Sequence, residues 1–231
     1  MKREVVALIP VREGSGRVKD KNFRPFADEG SLLHLKIKQL KKAGCFDHIY
    51  VSSDSERAKR IASEMGATFL PRDPAMCKQS AKLYQYNTHM LQTVPGDPYV
   101  AWTMVTAPLF ENYAPCVEKF LSLNKNEYDS FMTVLPFREF LINEKGRPIN
   151  CMYGRWHLLT QELDNNYTIT GSLYLAGKSE QIEWEYWIGV KPYLYEITKL
   201  DCIDVDYEED FRLAEALYLW RKNGKLQYAK I

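Results

Sequence analysis

Residues 5–22 read Val5-Val6-Ala7-Leu8-Ile9-Pro10-Val11-Arg12-Glu13-Gly14-Ser15-Gly16-Arg17-Val18-Lys19-Asp20-Lys21-Asn22, and the fold follows from this stretch. The apolar run Val5–Ile9 is short enough for a strand buried on both faces, the kind found inside a parallel sheet. Pro10 lacks an N–H and ends the ladder. Beyond it lies a loop with two glycines, Gly14 and Gly16, and five cations, Arg12, Arg17, Lys19, Lys21 and Arg24. Glycine reaches φ > 0 cheaply, so successive N–H groups can line a concavity that suits an anion. Cations around it suit a polyphosphate. The stretch therefore predicts an anion-handling loop at the carboxyl end of the first strand of an open α/β sheet, where such folds bind ligands. The plain alternative is a solvated basic loop. Two named phosphate loops are excluded. Gly16 is followed by Arg17-Val18 rather than the Lys-Ser/Thr of a P-loop, and Lys19 stands where a dinucleotide fingerprint needs its third glycine.

The chain has 231 residues, enough for one α/β domain with a small appended lobe. Its 31 cationic and 30 anionic side chains leave a formal charge of +1, so any anion site is local. General nucleic-acid or membrane-surface binding would need a basic excess and is not expected. The N-terminal apolar run is too short for a signal peptide or a membrane span. Cys45, Cys77, Cys116, Cys151 and Cys202 are scattered, odd in number and without a Cys-x-x-Cys pair, which suits a reducing cytoplasm better than a disulfide framework or a zinc site.

Outward from the loop, Ser31 is placed to cap a helix over 31–40 that Gly44 stops, with Leu33, Ile37 and Leu40 on one face. A strand over 49–52, a helix over 56–65 capped by Asp54 or Ser55, and a strand over 67–70 follow. A helix over 80–94, with Leu83, Tyr84, Asn87, Met90 and Leu91 inward, precedes a strand over 98–105, a helix over 112–123 and a strand over 130–136. This alternation predicts right-handed βαβ crossovers and a mainly parallel sheet. The rhythm breaks after Pro136. Glu144-Lys145-Gly146 reads as a hairpin turn, and Trp184, Tyr186 and Trp187 as lobe packing or a dimer surface.

Leu8 to Ser15 followed by Lys21-Asn22 resembles the N-terminal signature of the acylneuraminate cytidylyltransferases (CMP-sialic acid synthetases) and their CMP-Kdo synthetase relatives. Val11 replaces the usual Ala, and Gly16-Arg17 the usual Lys-Gly. Phe46 to Asp54 is similar to that family's Phe-Asp-x-Ile-x-Val-Ser-Thr-Asp strand, and Gly66 to Arg72 to the segment ending in its Arg-Pro. Thr106-Ala107-Pro108-Leu109 resembles its Gln-Pro-Thr-Ser-Pro-Leu turn, with Met104 where the family has Gln. Thr170-Gly171-Ser172-Leu173-Tyr174-Leu175 resembles its Asn-Gly-Ala-Ile-Tyr-Ile strand, with Thr170 for Asn.

The segment Leu200 to Glu215 resembles the family's Ile-Asp-x-Asp-x-x-x-Asp-x-x-x-Ala-Glu. In an extended stretch Asp204 and Asp206 present both carboxylates to one face. Hard oxygens of this kind suit Mg²⁺, which takes one or two carboxylates together with phosphate oxygens and water. The alternative is capping, since Asp206 precedes Glu209 by three residues. The two roles are compatible.

The resemblance implies a single Rossmann-like α/β domain of the nucleotide-diphospho-sugar transferase type over 1–231, with an inserted dimerisation lobe at about 137–187. It implies a cytoplasmic homodimer that moves CMP from CTP onto a 2-keto-3-deoxy sugar acid with release of pyrophosphate, in surface polysaccharide biosynthesis. Arg12, Lys21 and Asp206 would be the catalytic residues. Arg12, Ser15, Lys21, Asn22, Arg72 and Ser80 would hold the nucleotide, and Asp204 and Asp206 the Mg²⁺. Met104, Arg138 and Tyr174 would meet the acceptor. For Arg72 a loop charge, for Ser80 a helix cap and for Tyr174 a core tyrosine remain open. Met104 has no amide to read a sugar acid or base edge. A different acceptor, such as a phosphonate or a phosphorylated alcohol, or a catalytically silent nucleotide-binding relative, is therefore the alternative.

Overall fold

The computed structural model describes residues 3–14, 16–77 and 80–223. The run Val5–Pro10 is strand β1, and it lies in the interior of a seven-stranded sheet ordered β3-β2-β1-β4-β6-β5-β7. On one side it pairs in parallel with β2 (His48–Ser53), which pairs in parallel with β3 (Thr68–Pro71). On the other it pairs in parallel with β4 (Tyr99–Trp102), in register from Val5–Tyr99 to Leu8–Trp102. β5 (Ser130–Phe137) and β7 (Pro192–Glu196) are parallel to each other. β6 (Asn166–Gly177) is antiparallel to both of its neighbours, β4 and β5.

Alternate residues of β1 feed two apolar layers, which is why the run is apolar throughout. Val5, Ala7 and Ile9 face α1 (Leu32–Ala43), α2 (Glu56–Glu64), α4 (Tyr113–Ser122) and α6 (Glu208–Lys222). Val6 and Leu8 face α3 (Leu83–Thr93) and the chain around α5 (Lys178–Glu183). Helix ends follow their local chemistry. The Ser31 hydroxyl accepts from the His34 N–H, and Gly44 closes α1 at φ 63°, in the left-handed region that glycine enters without cost. Ser55 rather than Asp54 caps α2, accepting from Arg57 and Ala58.

Several sequence expectations shift. α3 begins at Leu83, so Ser80 lies in an exposed turn and caps nothing. On α3 Asn87, Met90 and Leu91 point inward, whereas Leu83 and Tyr84 are exposed and Tyr86 takes the half-buried place. Asp206 and Glu209 form no capping box. Asp210 accepts instead from the Asp206 and Tyr207 N–H groups at 3.0 and 2.8 Å. Of the span 137–187, residues 138–165 and 184–187 lie outside the sheet and its α-helices, because Asn166–Gly177 is a sheet strand and Lys178–Glu183 is α5. The expected hairpin is present, with Asn143 and Ile149 donating across to Arg147 and Leu141. Trp187 stacks on Tyr174 of β6 at 5.1 Å between centroids, so it packs onto the sheet.

At the edge opposite the strand ends, Arg3 ties the start of β1 to α5. Its guanidinium bonds Asp97 and Glu180 at 2.8–2.9 Å and holds the Glu180 carboxyl down to about 2 against burial. That contribution to stability is full above the ordinary carboxylate value and is lost as pH falls through about 2. Both groups are partly exposed, so Glu180→Gln is expected to cost at most about 1 kcal/mol at neutral pH. Urea unfolding should show the acid limb of the variant flattened; superimposable acid limbs would refute the assignment.

Candidate active site

β1, β2, β3 and β4 all end on one edge, and the loops that leave β1, β3 and β4 enclose a cleft of about 490 Å³. The basic loop forms one wall and is not a solvated excursion. Val18, Phe23 and Phe26 bury their side chains in the core, and Asp20 adopts φ 51° with its carbonyl accepting from Phe23 and Arg24. Arg57 of α2 pairs with the Asp20 carboxylate at 2.9 Å. Gly14 has φ 72°, a conformation costly for a side chain with a Cβ. Ser15, expected to help hold phosphate, lies outside the described residues.

Arg12, Lys21, Asn22 and Arg72 line the cleft together with Arg17 and Met104. Asn22 is buried; its amide donates to the Arg12 carbonyl at 2.9 Å while its Oδ1 has no partner among the described residues. Arg12 donates to the Cys77 carbonyl at 3.1 Å. Arg72 is buried too, with one nitrogen on the Val11 carbonyl and another at 3.2 Å from the Met90 sulfur. Its Nε is likewise unpartnered among the described residues. Ser80 is exposed and outside the lining, which reaches Ala81 instead.

The acidic pair, from the other end of the chain, is outside the lining itself and borders the cleft through Arg17, Lys21 and Thr106, which are part of it. Arg17 holds Asp206 at 2.8 Å, and the Lys21 ammonium stands 3.7 Å from the same carboxylate while donating to the Val205 carbonyl at 2.5 Å. Burial lowers the Lys21 pKa, with Asp206 and Asp204 pulling it back up. Burial also raises Asp204. The facing Thr106 hydroxyl works against that rise and the like charge of Asp206 adds to it. Two neighbouring carboxylates whose like charges repel are a donor set that a hard divalent cation relieves. Among the described residues no group of three His, Cys, Asp or Glu side chains could hold a metal by itself. A Mg²⁺ there would complete its shell with phosphate oxygens and water, so the residues present fit the ion.

The acceptor residues fare differently. Met104 lines the cleft. Arg138 is exposed and bonded to Asn165 at 3.0 Å, and it is absent from the lining. Tyr174 is buried beneath the Trp187 ring and is also absent from the lining, so its packing is that of a core tyrosine. Thr170 is bonded to Thr133 at 2.7 Å, its hydroxyl turned to β5. Arg17, Thr106 and Tyr86 were not singled out from sequence as site residues. Arg17 sat in view within the basic loop, and Thr106 in the turn after β4, but nothing in the pattern of α3 distinguished Tyr86 from Tyr84.

An open sheet with this strand order and a cation-rich cleft at its strand ends is the frame of a nucleotidyl-transferring enzyme. The profile described as "Cytidylyltransferase" matches residues 6–139, more than half of the chain, and the protein belongs to the cytidylyltransferase family. It is 26% identical over 212 residues to the N-acylneuraminate cytidylyltransferase of Streptococcus agalactiae serotype III, a match that takes in 89% of this chain and 51% of that protein. The chain thus spans about half the length of the first curated relatives it matches. The pseudaminic acid cytidylyltransferase of Campylobacter jejuni serotype O:2 is 22% identical, with 92% of this chain and 95% of that one matched. Among solved structures, CMP:2-keto-3-deoxy-manno-octonic acid synthetase complexed with CTP superposes with a TM-score of 0.67 at 11% identity, over 94% of this chain and 99% of that one. At that identity the likeness shows the fold alone.

Proposed function

We propose that the protein transfers CMP from CTP to a 2-keto-3-deoxy sugar acid, with pyrophosphate as the second product and Mg²⁺ as cofactor. The observation that carries this reading is the junction of Asp206 with Arg17 and Lys21, two cations of the cleft lining, which sets a carboxylate at the border of a cation-rich cleft. The names of the relatives supply the substrate class: one is named for N-acylneuraminate and another for pseudaminic acid.

The acceptor hydroxyl oxygen forms a bond to the α-phosphorus of CTP, the bond to the β-phosphate oxygen breaks, and pyrophosphate leaves with that electron pair. Arg12 and Lys21 neutralise the β- and γ-phosphates, and Asn22 and Arg72, which line the same cleft, contact the nucleotide. Asp204 and Asp206 would hold Mg²⁺, which when bound would supply charge neutralisation and lower the pKa of the attacking hydroxyl. Arg17 exchanges its carboxylate partner for phosphate when nucleotide enters. Positioning and electrostatics do the work.

Met104 at the cleft wall, with Arg138 outside it, favours a second reading in which the same transfer serves a different acceptor, such as a phosphonate or a phosphorylated alcohol. Segment 138–165 exposes Ile149, Met152 and Trp156 at 63–64%, and we assign this apolar surface to a homodimer contact. None of the described helices is long and apolar enough to cross a membrane, and a cytoplasmic enzyme is the reading that the free cysteines support.

Pyrophosphate release tests the reaction. With CTP, Mg²⁺ and a panel of eight- and nine-carbon keto acids, wild-type protein should turn over, while Lys21→Ala and Asp206→Ala should each be slower by roughly two to four orders of magnitude with an unchanged fold. Near-normal activity in both variants would defeat these roles, and turnover confined to phosphonates or phosphorylated alcohols would select the second reading. For the contact, light scattering should give twice the chain mass, falling to one chain in Ile149→Glu/Trp156→Glu; a wild-type monomer at micromolar concentration would exclude it.

A further inference from the structure

Lys36 lies in the middle of α1, is wholly buried, and forms no ion pair among the described residues. A buried amine is costly unless its surroundings compensate it, and an apolar residue would serve a helix core better. Its nitrogen meets a carbonyl and a phenol, donating to the Ala107 oxygen at 2.9 Å and lying beside the Tyr113 hydroxyl. Burial pushes its pKa down to about 7, with Glu111 opposing. Charged or neutral, it keeps an N–H for Ala107.

Ala107 belongs to a row of four consecutive carbonyls in the turn after β4. None of the four enters the sheet ladder. The Thr106 oxygen accepts from the Val205 N–H at 2.8 Å, that of Ala107 from Lys36, that of Pro108 from Gln39 at 2.6 Å, and that of Leu109 from Arg221 at 2.5 Å. The inner three are held from α1 and α6, behind the cleft. The outermost reaches the residue between Asp204 and Asp206, and the Thr106 side chain faces Asp204 itself. A polar clamp buried behind the turn therefore sets the backbone on which both carboxylates ride.

We propose that Lys36 is a positioning residue for nucleotidyl transfer, fixing the 106–109 carbonyl row so that Val205 and its two flanking aspartates are held in metal-binding geometry. This rests on the reading of Asp204 and Asp206 as the metal pair. Lys36 acts through Ala107 and Thr106 and touches neither substrate nor metal.

Two readouts on full-length Lys36→Met, which keeps length but removes the donor, test it. In ligand-free protein, amide hydrogen exchange should quicken at least tenfold in peptides covering 103–110 and 202–206, with no change over 56–71. In turnover, the Mg²⁺ concentration for half-maximal rate should rise at least fivefold and kcat fall at least tenfold, while KM for CTP at saturating Mg²⁺ stays within twofold. A folded variant with unchanged exchange over 202–206 and unchanged Mg²⁺ dependence overturns the proposal, as does a drop in melting temperature with both readouts at wild-type values. If Lys36→Met does not fold, Gln39→Met removes the neighbouring donor, and the same pair of shifts, smaller in size, must appear or the proposal falls. If wild-type protein releases no pyrophosphate with any acceptor, the proposed reaction fails, and hydrogen exchange alone decides the role of Lys36.

Discussion

The contact of Arg17 and Lys21 with the Val205-Asp206 segment organises the site, and it spans 189 residues between Arg17 and Asp206. Nothing local joins these two pieces of chain. They meet because β1 lies inside the sheet, so its exit loop faces the middle of the strand-end edge, and α6 is packed back onto the same face as α1. Phe211 and Ala214 of α6 share an apolar layer with Val18, Phe23 and Phe26 of the loop. Phe26 meets Phe211 edge-on at 5.4 Å, and Arg24 lies over the Phe211 ring at 3.7 Å. The apolar packing sets the approach and the ion pairs set the register.

The same economy explains why the cleft is basic in a chain of nearly balanced charge. Cations gather where carbonyls or aspartates can hold them: Arg12 on Cys77, Lys21 on Val205, Arg72 on Val11. Held this way, Arg12, Lys21 and Arg72 stay fixed in the lining of the cleft. Preorganisation of this kind costs nothing further when an anion arrives, which is what electrostatic assistance to phosphoryl chemistry requires.

Much of this was legible in residue order. The apolar run of β1, the Ser31 and Gly44 signals around α1 and the βα alternation through β5 depend on local periodicity and capping, and the structure has them within a few residues. The region after β5 was not. β6 returns antiparallel into the interior of the sheet after a long excursion; its second half was marked as a strand only by the resemblance at 170–175, and its first residues, Asn166 to Ile169, are exposed, so nothing in their pattern announced where it starts or how it pairs. Arg138 shows the same limit in a side chain: guanidinium chemistry suits a carboxylate, but where the group points depends on the course of 138–165. Asp210 took the capping role proposed for Glu209 because α6 starts one residue later than the pattern suggested. The twin aspartates were legible as a chemical type, whereas their link to Thr106 needed three dimensions.

The central claim is that the basic loop and the aspartates serve one triphosphate and its metal. A crystal structure with CTP and Mn²⁺ in place of Mg²⁺ tests it most directly, because manganese gives an anomalous signal. The account predicts an anomalous peak within coordination distance of Asp204 or Asp206 and of a phosphate oxygen, with the Lys21 nitrogen moved from Val205 onto the triphosphate. A triphosphate bound away from both segments, or manganese without carboxylate contact, would contradict it.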